Sequence, residues 1–145
     1  MRLVIQRVFE AHVSVAHRLV GAIDHGLCVF AGIGIPDDEK KADYVAEKLL
    51  RLRIFDDEQG KMNRSVIDVR GGILVVSQFT LYGDLTKGSR PSFSDAAPAK
   101  QAHRLYEYFV ERLRASELKI ATGQFQARME VALKNDGPVT FTLEA

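Results

Sequence analysis

The stretch Leu3-Val4-Ile5-Gln6-Arg7-Val8-Phe9-Glu10-Ala11-His12-Val13-Ser14-Val15 alternates apolar, often β-branched, letters with polar ones, and His17-Arg18-Leu19-Val20-Gly21 follows it. Period two marks a half-buried strand, and the second stretch reads as a turn into another short strand, so the chain opens on a hairpin-like pattern. That opening decides the fold class. Strands joined by hairpins make antiparallel sheets, whereas a doubly wound parallel sheet needs a helix after each strand. Leu27 to Ile33 adds a third strand before any helical signal appears.

Further along, Ala42, Val45, Ala46, Leu49 and Leu50 fall on one helical face, and Asp37, Asp38 and Glu39 sit where acids favour a helix N-terminus. Arg53-Ile54-Phe55 reads as extended, Asp56 to Gly60 as a turn, and Ile73-Leu74-Val75-Val76 as a strand buried on both faces. A second helix starts near Pro98 and stacks Ala102, Leu105, Tyr106, Phe109 and Leu113. Phe125, Ala127, Met129, Val131 and Leu133 alternate with polar or small letters, as do Val139, Phe141 and Leu143, and Asn135-Asp136-Gly137-Pro138 reads as a turn between these last two strands. The expectation is an α+β fold in a single domain spanning residues 1–145, with a mixed, largely antiparallel sheet and two main amphipathic helices.

With 145 residues, 46% hydrophobic and 27% charged, the chain is long enough for one sizeable core and excludes a disulfide mini-protein or a disordered tail. Twenty Lys plus Arg against 19 Asp plus Glu leave a net charge of +1, so any nucleic-acid contact must come from a local patch. Cys28 is the one cysteine and cannot form an intrachain disulfide or a multi-cysteine zinc site. Charge returns at Arg2 and Arg7 too soon for a signal peptide, and no apolar run approaches a bilayer's thickness, so a cytoplasmic location is expected. The four histidines, at 12, 17, 25 and 103, show no metal-ligand spacing.

Four polar segments are candidate chemistry. Gly32-Ile33-Gly34 invites a dinucleotide-binding reading, but Asp37 stands where the third glycine is needed, which leaves a structural turn. Ser77-Gln78-Phe79-Thr80-Leu81 emerges where the buried strand ends; Ser77 or Thr80 is either a nucleophile awaiting a base or a cap on backbone groups. Lys87-Gly88-Ser89-Arg90-Pro91-Ser92-Phe93-Ser94 carries cations, hydroxyls and an aromatic suited to phosphates and bases, or is a solvated loop. Asn135-Asp136-Gly137-Pro138-Val139-Thr140 is either an ordinary turn or one with a cis Gly-Pro bond, whose neighbouring carbonyls could aim at one cationic group.

Taken in order, Gln6-Arg7-Val8, Arg53-Ile54-Phe55, Gly60-Lys61-Met62-Asn63, Ser77 to Leu81, Arg90-Pro91-Ser92-Phe93-Ser94 and Asn135 to Thr140 make the whole chain resemble the D-aminoacyl-tRNA deacylase family. The resemblance implies a barrel-like sheet and a hydrolase that releases D-amino acids, and glycine mischarged on other tRNAs, from tRNA as chiral proofreading. It implies a homodimer with its active site across the interface. Ser77, Gln78, Phe79 and Thr80 of one subunit would form the catalytic strand end, and the partner's Gly137-Pro138 turn, with a cis bond, would accept the substrate ammonium and exclude L side chains. Arg7 would brace that turn, Met129 would wall the pocket, and Asn135 would support it. Lys87 and Arg90 would touch tRNA. No metal or cofactor is implied, since main-chain N–H groups of Phe79 and Thr80 and the terminal ribose hydroxyl would carry the chemistry, with Thr80 as covalent nucleophile the second mechanism.

The chain departs from the family pattern at Gln126, Arg128, Ala132 and Lys134. Alternation sets Gln126 and Arg128 opposite Met129, so these changes are expected on the outer surface or at the tRNA contact. Two other functions stay open. One is a related deacylase with a trans Gly-Pro bond acting on small L-amino acids mischarged on tRNA. The other is a non-catalytic RNA-binding module using the Lys87 to Arg90 loop.

Overall fold

In the computed structural model, which describes residues 1–145, the chain runs β1 (Arg2–Val15), β2 (Arg18–Ile23), β3 (Gly26–Gly32), α1 (Glu39–Arg51), β4 (Phe55–Asp56), β5 (Met62–Arg64) and β6 (Gly72–Ser77). A 3₁₀ turn at Phe79–Tyr82, α2 (Ala99–Arg114), β7 (Ile120–Thr122) and β8 (Met129–Glu144) complete it. The long β1 organises the sheet. Its Ala11–Val15 end pairs antiparallel with β2, its Arg2–Val8 end with β3, and its other edge with β8. β6 joins β3 in parallel and β7 joins β6 in parallel, so the sheet is mixed. Its two ends approach each other: a Cβ on Gly21 of β2 would stand 2.5 Å from the Thr122 carbonyl oxygen of β7. The sheet therefore nearly closes into a barrel, as the family resemblance implies.

Both helices cover one side of this sheet. Asp38 caps α1 by accepting the Lys41 N–H, and Ala42, Val45, Ala46 and Leu49 face the core. α2 buries Leu105, Tyr106, Phe109, Val110 and Leu113 against them. β6 is buried on both faces, since Leu74 and Val76 fill a second cluster with Val8, Val13 and Cys28 on the far side. There burial pushes the Cys28 thiol up to about 12 and leaves it an inert filler.

The structure corrects three sequence expectations. Asp37 is not a helix-end acid on the surface: it is buried, accepts the Gly34 N–H (2.7 Å) and the Tyr82 hydroxyl (3.1 Å), and pairs with the Met1 ammonium (2.6 Å). This also explains the residue that broke the glycine motif, because Asp37 closes the Gly32-Ile33-Gly34 turn from inside. Burial alone would raise the Asp37 carboxyl, but the ammonium, the Gly34 N–H and Lys41 outweigh it and hold it below the usual carboxylate range. Its stabilisation is thus present above the unfolded pKa and is lost as pH falls through the folded one. Asp37→Ala is expected to cost about 3 kcal/mol at neutral pH. The gap between the urea unfolding midpoints of variant and parent should narrow as the buffer is taken below the ordinary carboxylate range.

The second correction concerns Asn135 to Pro138. These residues do not separate two strands; β8 is one continuous strand whose halves both pair with β1. The register shifts on either side of Val8 absorb the irregularity, so the segment bulges and keeps its direction. Third, the alternation read through Phe125 to Leu133 begins as strand only at Met129. Gln126 has φ of 62° and breaks the period.

Candidate active site

β6 delivers its last residue, Ser77, to the surface beside β3. The Gln78 N–H still donates to the Ala31 carbonyl (2.8 Å), and the chain then tightens into the 3₁₀ turn. Leu81 is the first residue of this turn to find an internal acceptor, the Gln78 carbonyl at 3.3 Å. The N–H groups ahead of it, those of Phe79 and Thr80, are the ones the start of such a turn leaves without an intrahelical partner. Phe79 is 60% exposed and leans on Phe93, with ring centroids 4.9 Å apart. The Gln78 side-chain amide donates to the Thr80 hydroxyl, so the neighbour of that hydroxyl is a donor and not a base.

A cavity of about 570 Å³ opens directly at this strand end. Ser77, Gln78 and Phe79 form one wall, Met129 and Val131 of β8 another, and small alanines around the start of α2 a third. The lining is mostly apolar with a few polar groups at one side, the composition of a small-molecule site. The structure therefore brings together four of the residues singled out from sequence: Ser77, Gln78, Phe79 and Met129.

The other expected site residues stand elsewhere in the same chain. Gly137 and Pro138, joined by a cis peptide, are exposed on β8 and do not line the cavity. Arg7 is 4% exposed and lies beneath them: its Nε is 2.9 Å from Asp136 Oδ2, an ion pair whose alignment falls short of a hydrogen bond. Its Nη1 donates to the Ile54 carbonyl (2.7 Å) and to Asp56 (3.1 Å). The Asn135 amide donates both to the Arg7 carbonyl (2.9 Å) and to the Val139 carbonyl (3.0 Å), tying the bulge to β1. Lys87 and Arg90 are exposed on a loop closed by the Asp84–Ser92 bridge, outside the cavity.

A family model described as D-Tyr-tRNA(Tyr) deacylase matches residues 4–144. The chain belongs to this family. It is thus a deacylase, a hydrolytic enzyme. Similar proteins include the D-aminoacyl-tRNA deacylase of Heliobacterium modesticaldum, 60% identical with 99% of this chain and 96% of that one covered. The D-aminoacyl-tRNA deacylase of Koribacter versatilis is 57% identical with 100% and 97% covered. A solved structure of the c-Myc DNA unwinding element binding protein superposes with a TM-score of 0.94 over 100% of this chain and 99% of that one, at 44% identity.

The cavity also holds residues the sequence reading missed or misplaced. Gln126 lines it together with Phe125 and Ala127, contrary to the outer-surface expectation, and its positive φ breaks the alternation on which that expectation rests. Arg128 is exposed near His17 and Glu130, and Lys134 is exposed and paired with Glu10 at 2.8 Å. Phe125 packs under the His103 ring of α2 with centroids 4.5 Å apart. The alanines of the third wall carry no signal in sequence, because small residues mark neither a period nor a chemistry.

Proposed function

We propose that this deacylase cleaves the ester bond joining a D-amino acid, or glycine, to the terminal ribose of tRNA in the cytoplasm, as chiral proofreading. Water adds to the ester carbonyl, the bond to the ribose oxygen breaks, and the free amino acid and tRNA leave. The observation that carries the reading is the cavity at the end of β6, with Ser77, Gln78 and Phe79 on its wall and the first N–H groups of the 3₁₀ turn beside it. Those of Phe79 and Thr80 would meet the developing oxyanion, a contribution of about 3 kcal/mol per donor elsewhere. An aminoacyl ester is already activated, and the neighbouring ribose hydroxyl can assist the water, so no side-chain base is needed.

The chain would work as a homodimer, with the partner's Gly137–Pro138 turn entering the cavity. Two observations support this arrangement: the turn is exposed and lies apart from the cavity of its own chain, and β8 pairs only with β1, leaving its outer edge open. Inside the pocket, carbonyls of the turn would accept the substrate ammonium. A D side chain would then point to solvent while an L side chain would run into the turn. Lys87 and Arg90, exposed and free of carboxylate partners, suit the tRNA backbone.

Purified protein incubated with D-tyrosyl-tRNA and L-tyrosyl-tRNA is expected to hydrolyse the first and spare the second. Equal turnover of both, or of neither, overturns the reading. Turnover confined to small L-amino acids on tRNA would instead favour a related deacylase with the opposite filter, and salt-sensitive RNA binding without turnover would favour a binding module. Thr80→Ala separates the two mechanisms. The main-chain account expects little loss, against the roughly 10²–10³-fold that loss of an oxyanion donor costs; abolished turnover would make the hydroxyl the nucleophile.

A further inference from the structure

Behind the Gly137–Pro138 turn lies a second cleft, of about 430 Å³, lined by charged side chains. The buried Arg7 sits at its base, and a guanidinium cannot shed its proton, so the fold must supply it with counter-charges. They come from two elements that sequence separates by 80 positions: Asp56 on β4, bonded to Nη1 at 3.1 Å, and Asp136 on β8, 2.9 Å from Nε. Asp136 is the residue immediately before Gly137. Arg7 Nη2 reaches to 3.5 Å from where a Gly137 Cβ would stand, so the same guanidinium that Asp136 grips is the floor of the turn. Arg64, Arg70 and Asp68 border the cleft as well, so with Asp56 and Asp136 in place its three arginines face three carboxylates. Removing either carboxylate would leave uncompensated positive charge directly behind the turn.

We propose that Asp136, together with Asp56, is a positioning residue for the Gly137–Pro138 turn: the two carboxylates clamp Arg7 between β4 and β8, set the height of the turn over β1, and cancel a cation that would repel the substrate ammonium. This inference rests on reading the turn as the element that meets that ammonium. Its signature is electrostatic and positional at once. A neutral amide in place of Asp136 keeps the shape and loses the charge, so substrate binding suffers more than the chemical step. A longer carboxylate restores the charge and part of the effect.

The test uses the full-length protein with D-tyrosyl-tRNA and L-tyrosyl-tRNA. Asp136→Asn is expected to raise KM for the D-substrate between about tenfold and a hundredfold, with kcat changed much less and thermal unfolding still cooperative, at a midpoint lowered by the lost counter-charge. Asp136→Glu is expected to recover part of the loss. Asp56→Asn, at a half-exposed site, should give a smaller shift of the same kind, and it carries the test if Asp136→Asn does not fold. Folded Asp136→Asn or Asp56→Asn with parental KM overturns the clamp. Gly137→Val that keeps full D-over-L discrimination overturns instead the reading of the turn on which the clamp rests.

Discussion

Gly137→Val is expected to lower kcat/KM for D-tyrosyl-tRNA by on the order of a hundredfold or more while the protein stays folded. Gly137 has φ of 122°, a conformation L side chains rarely adopt, and a Cβ there would stand 2.6 Å from Val139 Cγ2 and 3.0 Å from the Val139 nitrogen. The added side chain can be accommodated only if the turn moves. Because the turn is exposed, the cost to the fold is limited to the strain of one residue, about 1–3 kcal/mol. The cost to function is larger, because the proposed filter consists of backbone positions that shift with the turn. The measurements are steady-state hydrolysis of both stereoisomers and the urea unfolding curve. Parental hydrolysis with parental selectivity would show that the turn does not meet substrate.

Gly26→Ala is expected to act on the opposite quantity, removing roughly 5 kcal/mol of stability and with it most of the folded population. Gly26 opens β3 opposite Gly72 of β6, and a Cβ on it would lie 1.9 Å from the Gly72 carbonyl oxygen. The clash is with backbone in the middle of the sheet, so no side-chain rotation relieves it; the parallel β3–β6 pair has to separate. That pair also carries Ser77 and the 3₁₀ turn at its far end. Loss of activity should therefore follow loss of structure, and circular dichroism at increasing urea should report both together. A variant with the parental unfolding midpoint would mean that the two strands can spread without cost.

Elements whose signal is local were legible. The stripe of Ala42, Val45, Ala46 and Leu49, the all-apolar β6 and the alternation of β1 outside Arg7 to Glu10 each state their own burial, and each forms as read. The cavity wall at Ser77 to Phe79 was legible for a related reason: polar residues directly after a strand buried on both faces have to surface at its end. Much of what failed depended on partners distant in sequence, the rest on local backbone or short length. Asp37 looks like a helix-end acid until Met1 and Tyr82 are brought to it. Asn135 to Pro138 has turn composition, and only the shifted pairing on β1 lets the strand run on through it. Gln126 was set on the outer face by continuing a period that its own backbone interrupts. β7, three residues long, offers no pattern to find.

The continuity of β8 bears on how the enzyme would be inherited and engineered. One strand bears Met129 on the wall of its own chain's cavity and, eight positions later, Gly137, which lies apart from that cavity. In the proposed dimer a lesion at Ser77 would silence the pocket of the chain that carries it, whereas a lesion at Gly137 would silence the pocket opposite. Two differently damaged alleles mixed in one cell would then complement each other. A hybrid pair would combine an intact cavity from one subunit with an intact turn from the other, so the pair rather than the polypeptide is the unit on which selection acts.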